Sequence, residues 1–259
     1  IARWQTACDG GLAPGEIHIE GLRNSITDVL LRVTHSGGST ETVRLTPTQP
    51  GYLVQGEQGF ASVAATYFVL GVEHILIGID HLLFVLVLLL LVRNWRRLII
   101  TITTFTVAHS ITLALSALEL VSLPQAPVEA VIALSIMFVA GEVIHHVQGR
   151  HSLTAAMPWI AAFAFGLLHG FGFAGALQEI GLPQHAIPLA LAMFKIGVEA
   201  GQLIFIGAFF VIASLAGRLL KAGDANPAWH VTERISIPAA YITGSLACFW
   251  TFERTAAFL

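Results

Sequence analysis

The sequence predicts an all-α polytopic membrane protein, a six-helix transmembrane bundle with a small N-terminal β-rich extracytoplasmic module. Composition gives the class. The 259 residues are 55% hydrophobic and 11% charged, and mean hydropathy is +0.76, values of a chain that faces lipid. Segmentation gives the architecture. Apolar runs at about 61–92, 97–119, 127–148, 157–180, 186–220 and 235–258 are each long enough to cross a hydrocarbon layer of roughly 30 Å. Residues 1–58 lack this character, so the chain reads as a module at 1–58 and a membrane domain at 59–259.

Within the module, Glu16-Ile17-His18-Ile19-Glu20 alternates polar and apolar residues, the period of a half-buried strand. The runs Val29–Val33 and Thr42–Leu45 flank Ser36-Gly37-Gly38-Ser39, which predicts a β-hairpin. So short a piece has a marginal core of its own and is expected to pack on the membrane domain or on a partner. His18 and His35 read as surface residues.

The first and fifth apolar runs are long, so they are expected to tilt or to project beyond the lipid. Pro124 and Pro127 bracket the second connection, Pro158 opens the fourth helix, and Pro183 and Pro188 mark the fourth connection. Arg93, Arg96 and Arg97 follow the first helix, Arg150 follows the third, and Arg218, Lys221 and Arg234 lie between the fifth and sixth. The alternate connections, near 120–126 and 181–186, carry no Lys or Arg. The positive-inside rule makes the charged connections cytoplasmic. The module and the C-terminus then lie on the outer side, the periplasm if the chain sits in a bacterial inner membrane. The chain begins at Ile1 rather than methionine, which suggests a processed N-terminus, as after removal of a signal peptide. Cys8 precedes the membrane region and Cys248 sits in the last apolar run, so no disulfide between them is expected. With a formal net charge of -3 and no long basic run, nothing points to nucleic acid.

The densest chemistry lies in the first run, Glu73-His74-Ile75-Leu76-Ile77-Gly78-Ile79-Asp80-His81. An acid–histidine pair recurs after seven residues, about two helical turns. On a continuous helix Glu73 lies above Asp80 and His74 above His81. Ionisable side chains within hydrocarbon are costly, face a bundle interior or cavity, and mark function. Other runs carry such groups at similar depth. His109 and His169 each sit about a dozen residues into their helices. Lys195 and Glu199 are four apart, hence on one face. The second run is rich in hydroxyls, from Thr101 to Thr112. If these helices face one another, they enclose one polar chamber.

The residue types suit a divalent transition metal. Neutral imidazole binds nickel, zinc, copper and iron, and carboxylates add neutralising charge. Metal contact is expected from the first-run residues, with Glu73, His109 and Glu199 as further ligands or as groups that fix an imidazole tautomer. Glu129 guards the entrance or sits favourably at a helix N-terminus. Lys195 is a charge partner for Glu199. A single intramembrane histidine can simply hydrogen-bond across helices, a reading that stands for His109 or His169 taken alone. Glu142, His145, His146 and His151 read as a solvated interface at the cytoplasmic end of the third helix. Small residues at helical spacing, Gly172, Gly175 and Ala176, Gly197 and Gly201, and Gly71 and Gly78, allow close helix approach.

At these residues the chain resembles the HupE/UreJ family, hydrogenase and urease accessory membrane proteins regarded as nickel permeases. The family's first-helix motif is His-Pro-x-x-Gly-x-Asp-His. His74, Gly78, Asp80 and His81 match it, with Ile75 in place of the proline. Leu168-His169-Gly170 matches the His-Gly core of a later motif, though Glu179 is the next acid. The resemblance spans roughly residues 65–255, and it implies metal contact by His74, Asp80, His81 and His169. No Walker loop appears, so transport would be passive or driven by an ion gradient. A nickel permease or delivery protein is therefore expected. A membrane metalloenzyme with a zinc, copper or iron centre is one alternative. An accessory subunit of a larger membrane complex, or a homo-oligomer, is another. Below His81, Leu82 through Val92 offers no polar group for a path to the cytoplasm.

Overall fold

A computed structural model of the chain describes residues 15–24, 29–34, 40–54, 59–118, 120–150, 152–172, 186–219 and 227–258. Cys8, His35, the Ser36–Ser39 turn, His151, Gly175, Ala176, Glu179 and Lys221 lie outside the described residues. The chain divides into two units, Ile1–Ala64 with Pro183–Leu189 and Ala65–Leu182 with Ala190–Leu259.

The N-terminal module holds two antiparallel strand pairs. Strand β1 (Gly15–His18) pairs with β4 (Gly51–Val54). Strand β2 (Val29–Thr34) pairs with β3 (Thr40–Leu45), Val29 opposite Leu45. This second pair is the hairpin that the alternation predicts. Among the described residues of the module, Leu22, Val33, Leu45 and Val54 are buried and apolar.

The rest is helical: α1 (Phe60–Ile77), α2 (Ile79–Leu91), α3 (Trp95–Ala117), α4 (Gln125–Val147), the short α5 (Leu153–Ala156), α6 (Pro158–Gly172), α7 (Ile187–Leu219) and α8 (Pro227–Ala256). Five of these, α1, α3, α4, α7 and α8, are long and apolar enough to cross a membrane, while α2 and α6 are shorter apolar helices. The chain is thus an all-α polytopic membrane protein with five candidate spans rather than six equal ones. The difference has a local cause. The first apolar run breaks at Gly78, which leaves helical geometry at φ −71°, ψ 92° and caps α2. Glycine is the weakest helix former after proline, and hydropathy does not sense a one-residue break. The fourth run is helical through Gly172, and its remainder lies outside the described residues.

Isoleucines and phenylalanines such as Ile212, Ile242, Phe249 and Phe252 stay exposed on the long helices, as a lipid-facing surface requires. Inside, α3 packs along α6 and α4 along α8, around a core that includes Phe84, Leu88, Ile102, Phe105 and Ile136. One end of the bundle is marked by an Arg93–Glu233 ion pair at 2.7 Å. There Glu142 accepts from Ser152 Oγ at 2.6 Å, and Ser152 Oγ accepts from Ala155 N–H at the start of α5. Glu142 and His145 are 3.6 Å apart, so this cluster holds a helix start.

Two glycine contacts set the helix spacing. A side chain on Gly71 would collide with the backbone of Phe194 and Val198, and one on Gly197 with the backbone of Phe68. On α6, Gly166 and Gly170 meet the backbone of Phe105 and His109 in the same way. Hence α1 touches α7, and α6 touches α3, backbone to backbone. Gly71→Ala or Gly166→Ala is expected to destabilise the detergent-solubilised protein by ~1–3 kcal/mol. Gly141→Ala and Gly207→Ala, where an added carbon meets nothing, should leave the thermal midpoint unchanged or raise it.

Candidate metal centre

The break at Gly78 and the approach of α6 to α3 bring four histidines together. His74 lies in the last turn of α1 and His81 in the first turn of α2. Their ring centroids are 4.6 Å apart. A carbon added at Gly78 would stand 2.7 Å from the His74 carbonyl oxygen and 2.9 Å from His81 Nδ1, so only glycine fits between them. His109 of α3 is 5.9 Å from His74 and 5.7 Å from His81. His169 of α6 is 5.4 Å from His81. Apolar rings form the wall: Phe84 and Phe105 lie 4.9 and 5.1 Å from His169, and Phe194 lies 5.5 Å from His74.

The nitrogens of this cluster are the chemical signal. His109 is 1% and His169 0% exposed. His81 Nε2, both ring nitrogens of His109 and His169 Nε2 are buried with no hydrogen-bond partner among the described residues. Each such group costs ~1–3 kcal/mol when nothing faces it. His169 Nδ1 lies 2.8 Å from the Phe165 carbonyl oxygen. A carbonyl only accepts, so Nδ1 carries the proton and Nε2 presents its lone pair, the arrangement by which metal-binding histidines are oriented. One nitrogen from each of His74, His81 and His109 lies within 4.8 Å of the others. Metal–nitrogen bonds of about 2.0–2.1 Å put tetrahedral donors roughly 3.3 Å apart, so a small closure of the rings would complete a coordination set. The donors fit a divalent transition metal.

A cavity of about 170 Å³ adjoins the cluster, lined by His74, Asp80, His81, Glu129, Ile132, His169, Gly172 and Arg254. Asp80 reaches it from the first turn of α2. Its Oδ2 accepts from Arg254 Nη2 at 2.9 Å. Arg254 Nη1 donates to the Glu129 main-chain oxygen at 3.1 Å. The Glu129 carboxylate accepts from Gln125 Nε2 at 2.9 Å, which also donates to the Gly172 carbonyl at 2.6 Å. Polar contacts thus gather at the ends of α4, α6 and α8.

Other expected residues fall elsewhere. Glu73 is exposed on α1, because the interruption at Gly78 uncouples it from Asp80. Glu199 accepts from Thr103 Oγ1 at 2.7 Å, away from the cavity lining, and Lys195 is half-buried on the same helix. Three groups escaped the sequence reading. Arg254 was overlooked, although an arginine at the end where the positive-inside rule disfavours one was a signal. Gln125 carried none. Gln202 is fully buried, and a glutamine within a 33-residue apolar helix was the available clue.

In comparisons with known proteins, a family model described as HupE / UreJ protein matches residues 52–254. No curated protein matches the chain, and no solved structure does.

The buried nitrogens generate a test on stability. His109→Leu removes two partnerless nitrogens and is expected to raise the thermal midpoint of metal-free protein, or leave it unchanged, by relieving ~1–3 kcal/mol. Wild-type protein should gain about 2.7 kcal/mol at a hundredfold excess of metal over Kd, and His109→Leu should lose most of that gain. Scanning fluorimetry with and without nickel chloride measures both effects.

Proposed function

The chain belongs to the HupE/UreJ family, and on that premise we propose that it is a permease or delivery protein for a divalent transition metal, nickel foremost, in a bacterial inner membrane. The observation that carries this reading is the set of buried imidazole nitrogens at His81, His109 and His169 that have no partner among the described residues, next to a cavity that Asp80 also lines. Buried polar atoms are nearly always partnered, and ionisable groups within hydrocarbon mark function, so the set favours a bound species. A metal supplies that partner. His74, His81, His109 and His169 are its donors, with Asp80 as the nearby neutralising carboxylate. Zinc, copper or iron would suit the same donors, and the family favours nickel.

A polar line beyond the cluster supports movement over static storage. Thr106 and Thr103 lie three and six residues before His109 on α3, toward the end that carries Arg93. Thr106 Oγ1 lies 2.8 Å from Gln202 Oε1 and 3.0 Å from the Ile102 carbonyl oxygen. One hydroxyl proton cannot serve both acceptors. Turning the amide lets its Nε2 donate to Thr106 while Thr106 donates to Ile102. The amide oxygen then stands, buried, where the partnerless Nε2 stood, and an oxygen there suits a passing cation. Beside this pair, Thr103 Oγ1 donates to Glu199. These hydroxyl, amide and carboxylate groups place between α3 and α7 polar atoms that α2 lacks. With the positive-inside orientation, metal enters from the periplasmic cavity and leaves toward the arginine-rich face. The module at 1–58 is then periplasmic. Because ligands must shed protons to bind metal, a proton gradient can drive the cycle.

Nickel flux into vesicles reconstituted with the protein tests the proposal. His81→Ala/His109→Ala should lower both equilibrium nickel binding and flux by about tenfold or more. Gln202→Leu should keep binding and slow flux. Flux that is unchanged in the double histidine variant would remove the cluster from any transport role.

A further inference from the structure

A cation cavity that contains an arginine needs an explanation. Arg254 lies two residues before the end of α8, and it lines the same cavity as His74, Asp80, His81, Glu129 and His169. Its guanidinium is 2.9 Å from Asp80, the carboxylate nearest the imidazole cluster in sequence and the only aspartate among the cavity residues. The two side chains are 21% and 23% exposed. At that burial the guanidinium repels an arriving metal, with less solvent screening than at a free surface. It also takes Oδ2, one of the two Asp80 oxygens that a metal could use. We propose that Arg254 is a tethered competitor cation, which holds Asp80 while the cavity is empty and which a divalent metal must displace. This rests on the metal-transport reading and adds the residue that sets how tightly the site holds its cargo.

Three observations support the exchange. The carboxylate that Arg254 neutralises lines the cavity beside His81, so guanidinium and metal compete for it. Leaving Asp80 does not strand the arginine. Its guanidinium carbon is 5.4 Å from the Trp250 ring centroid, within cation–π range. The helix end beside it, from Ala256 to Phe258, is exposed, so water is close. Neutralising Asp80 with a guanidinium until metal arrives avoids an unpaired carboxylate where the surroundings are largely apolar. A returning guanidinium then helps to expel the metal, and moderate affinity is what release requires.

Titration calorimetry of the whole protein in detergent, with nickel chloride as probe, tests the inference on wild type, Arg254→Gln and Arg254→Lys. Arg254→Gln is expected to bind about tenfold more tightly, in the range of ordinary coupling between competing ligands. Arg254→Lys keeps the charge and should stay near wild type. Equal or weaker binding in Arg254→Gln overturns the inference and makes Arg254 a structural residue. Absence of binding in wild type and both variants overturns the metal reading beneath it. Fluorescence keeps the test decisive if Arg254→Gln does not fold. Zinc chloride, which is not redox-active, should shift wild-type emission as the guanidinium moves relative to Trp250, and Trp250→Phe should abolish that component. A Trp250 component that is indifferent to zinc while calorimetry records binding also overturns it.

Discussion

A hydrogen-bonding nitrogen enclosed by hydrocarbon costs roughly 1–3 kcal/mol if nothing faces it, and this protein encloses several of them in one place. His81, His109 and His169 present such nitrogens with their rings in mutual contact. Phe84, Phe105 and Phe194 close around them. His169 Nδ1 meets the Phe165 carbonyl oxygen, and its Nε2 has no partner among the described residues. The cluster is capable of coordinating a divalent metal ion.

Much of the helix packing serves to keep those rings together. Gly78 ends α1 and starts α2, and its bare backbone lets His74 and His81 meet across the break. Gly170 brings α6 against His109 itself, and Gly166 brings it against Phe105 one turn away. Gly71 and Gly197 lock α1 to α7 next to Phe194. At each place a methyl group would force backbones apart and open the cluster. One helix shorter than the bilayer core, α2, begins at this level, with Asp80 and His81 in its first turn. Interrupted helices of this kind are tolerated in membranes where they line a binding cavity.

The chain's fold class was legible because hydropathy and charge are summed over long windows, and the β2–β3 hairpin because alternation is local. The chemistry of the site was legible for a similar reason. Histidines in apolar runs stand out one by one, and His74, His81, His109 and His169 do share one cluster. Pairwise geometry across the chain was not legible. Arg254 and Asp80 are 174 residues apart, and no periodicity links them. The break at Gly78 hid within an apolar run, so Glu73 was grouped with Asp80 when it faces outward. Depth alone does not reveal that Glu199 accepts from Thr103 on α3.

The central claim is that imidazoles of this cluster bind the metal directly. X-ray absorption at the nickel edge, on protein loaded with one equivalent of nickel, reads the ligands without assuming transport. The expected spectrum has about three or four nitrogen donors near 2.0–2.1 Å, with the multiple scattering of imidazole. Part of that signature should be lost in His81→Ala. A nickel shell of oxygen donors alone, or a spectrum that His81→Ala leaves unaltered, would contradict the claim.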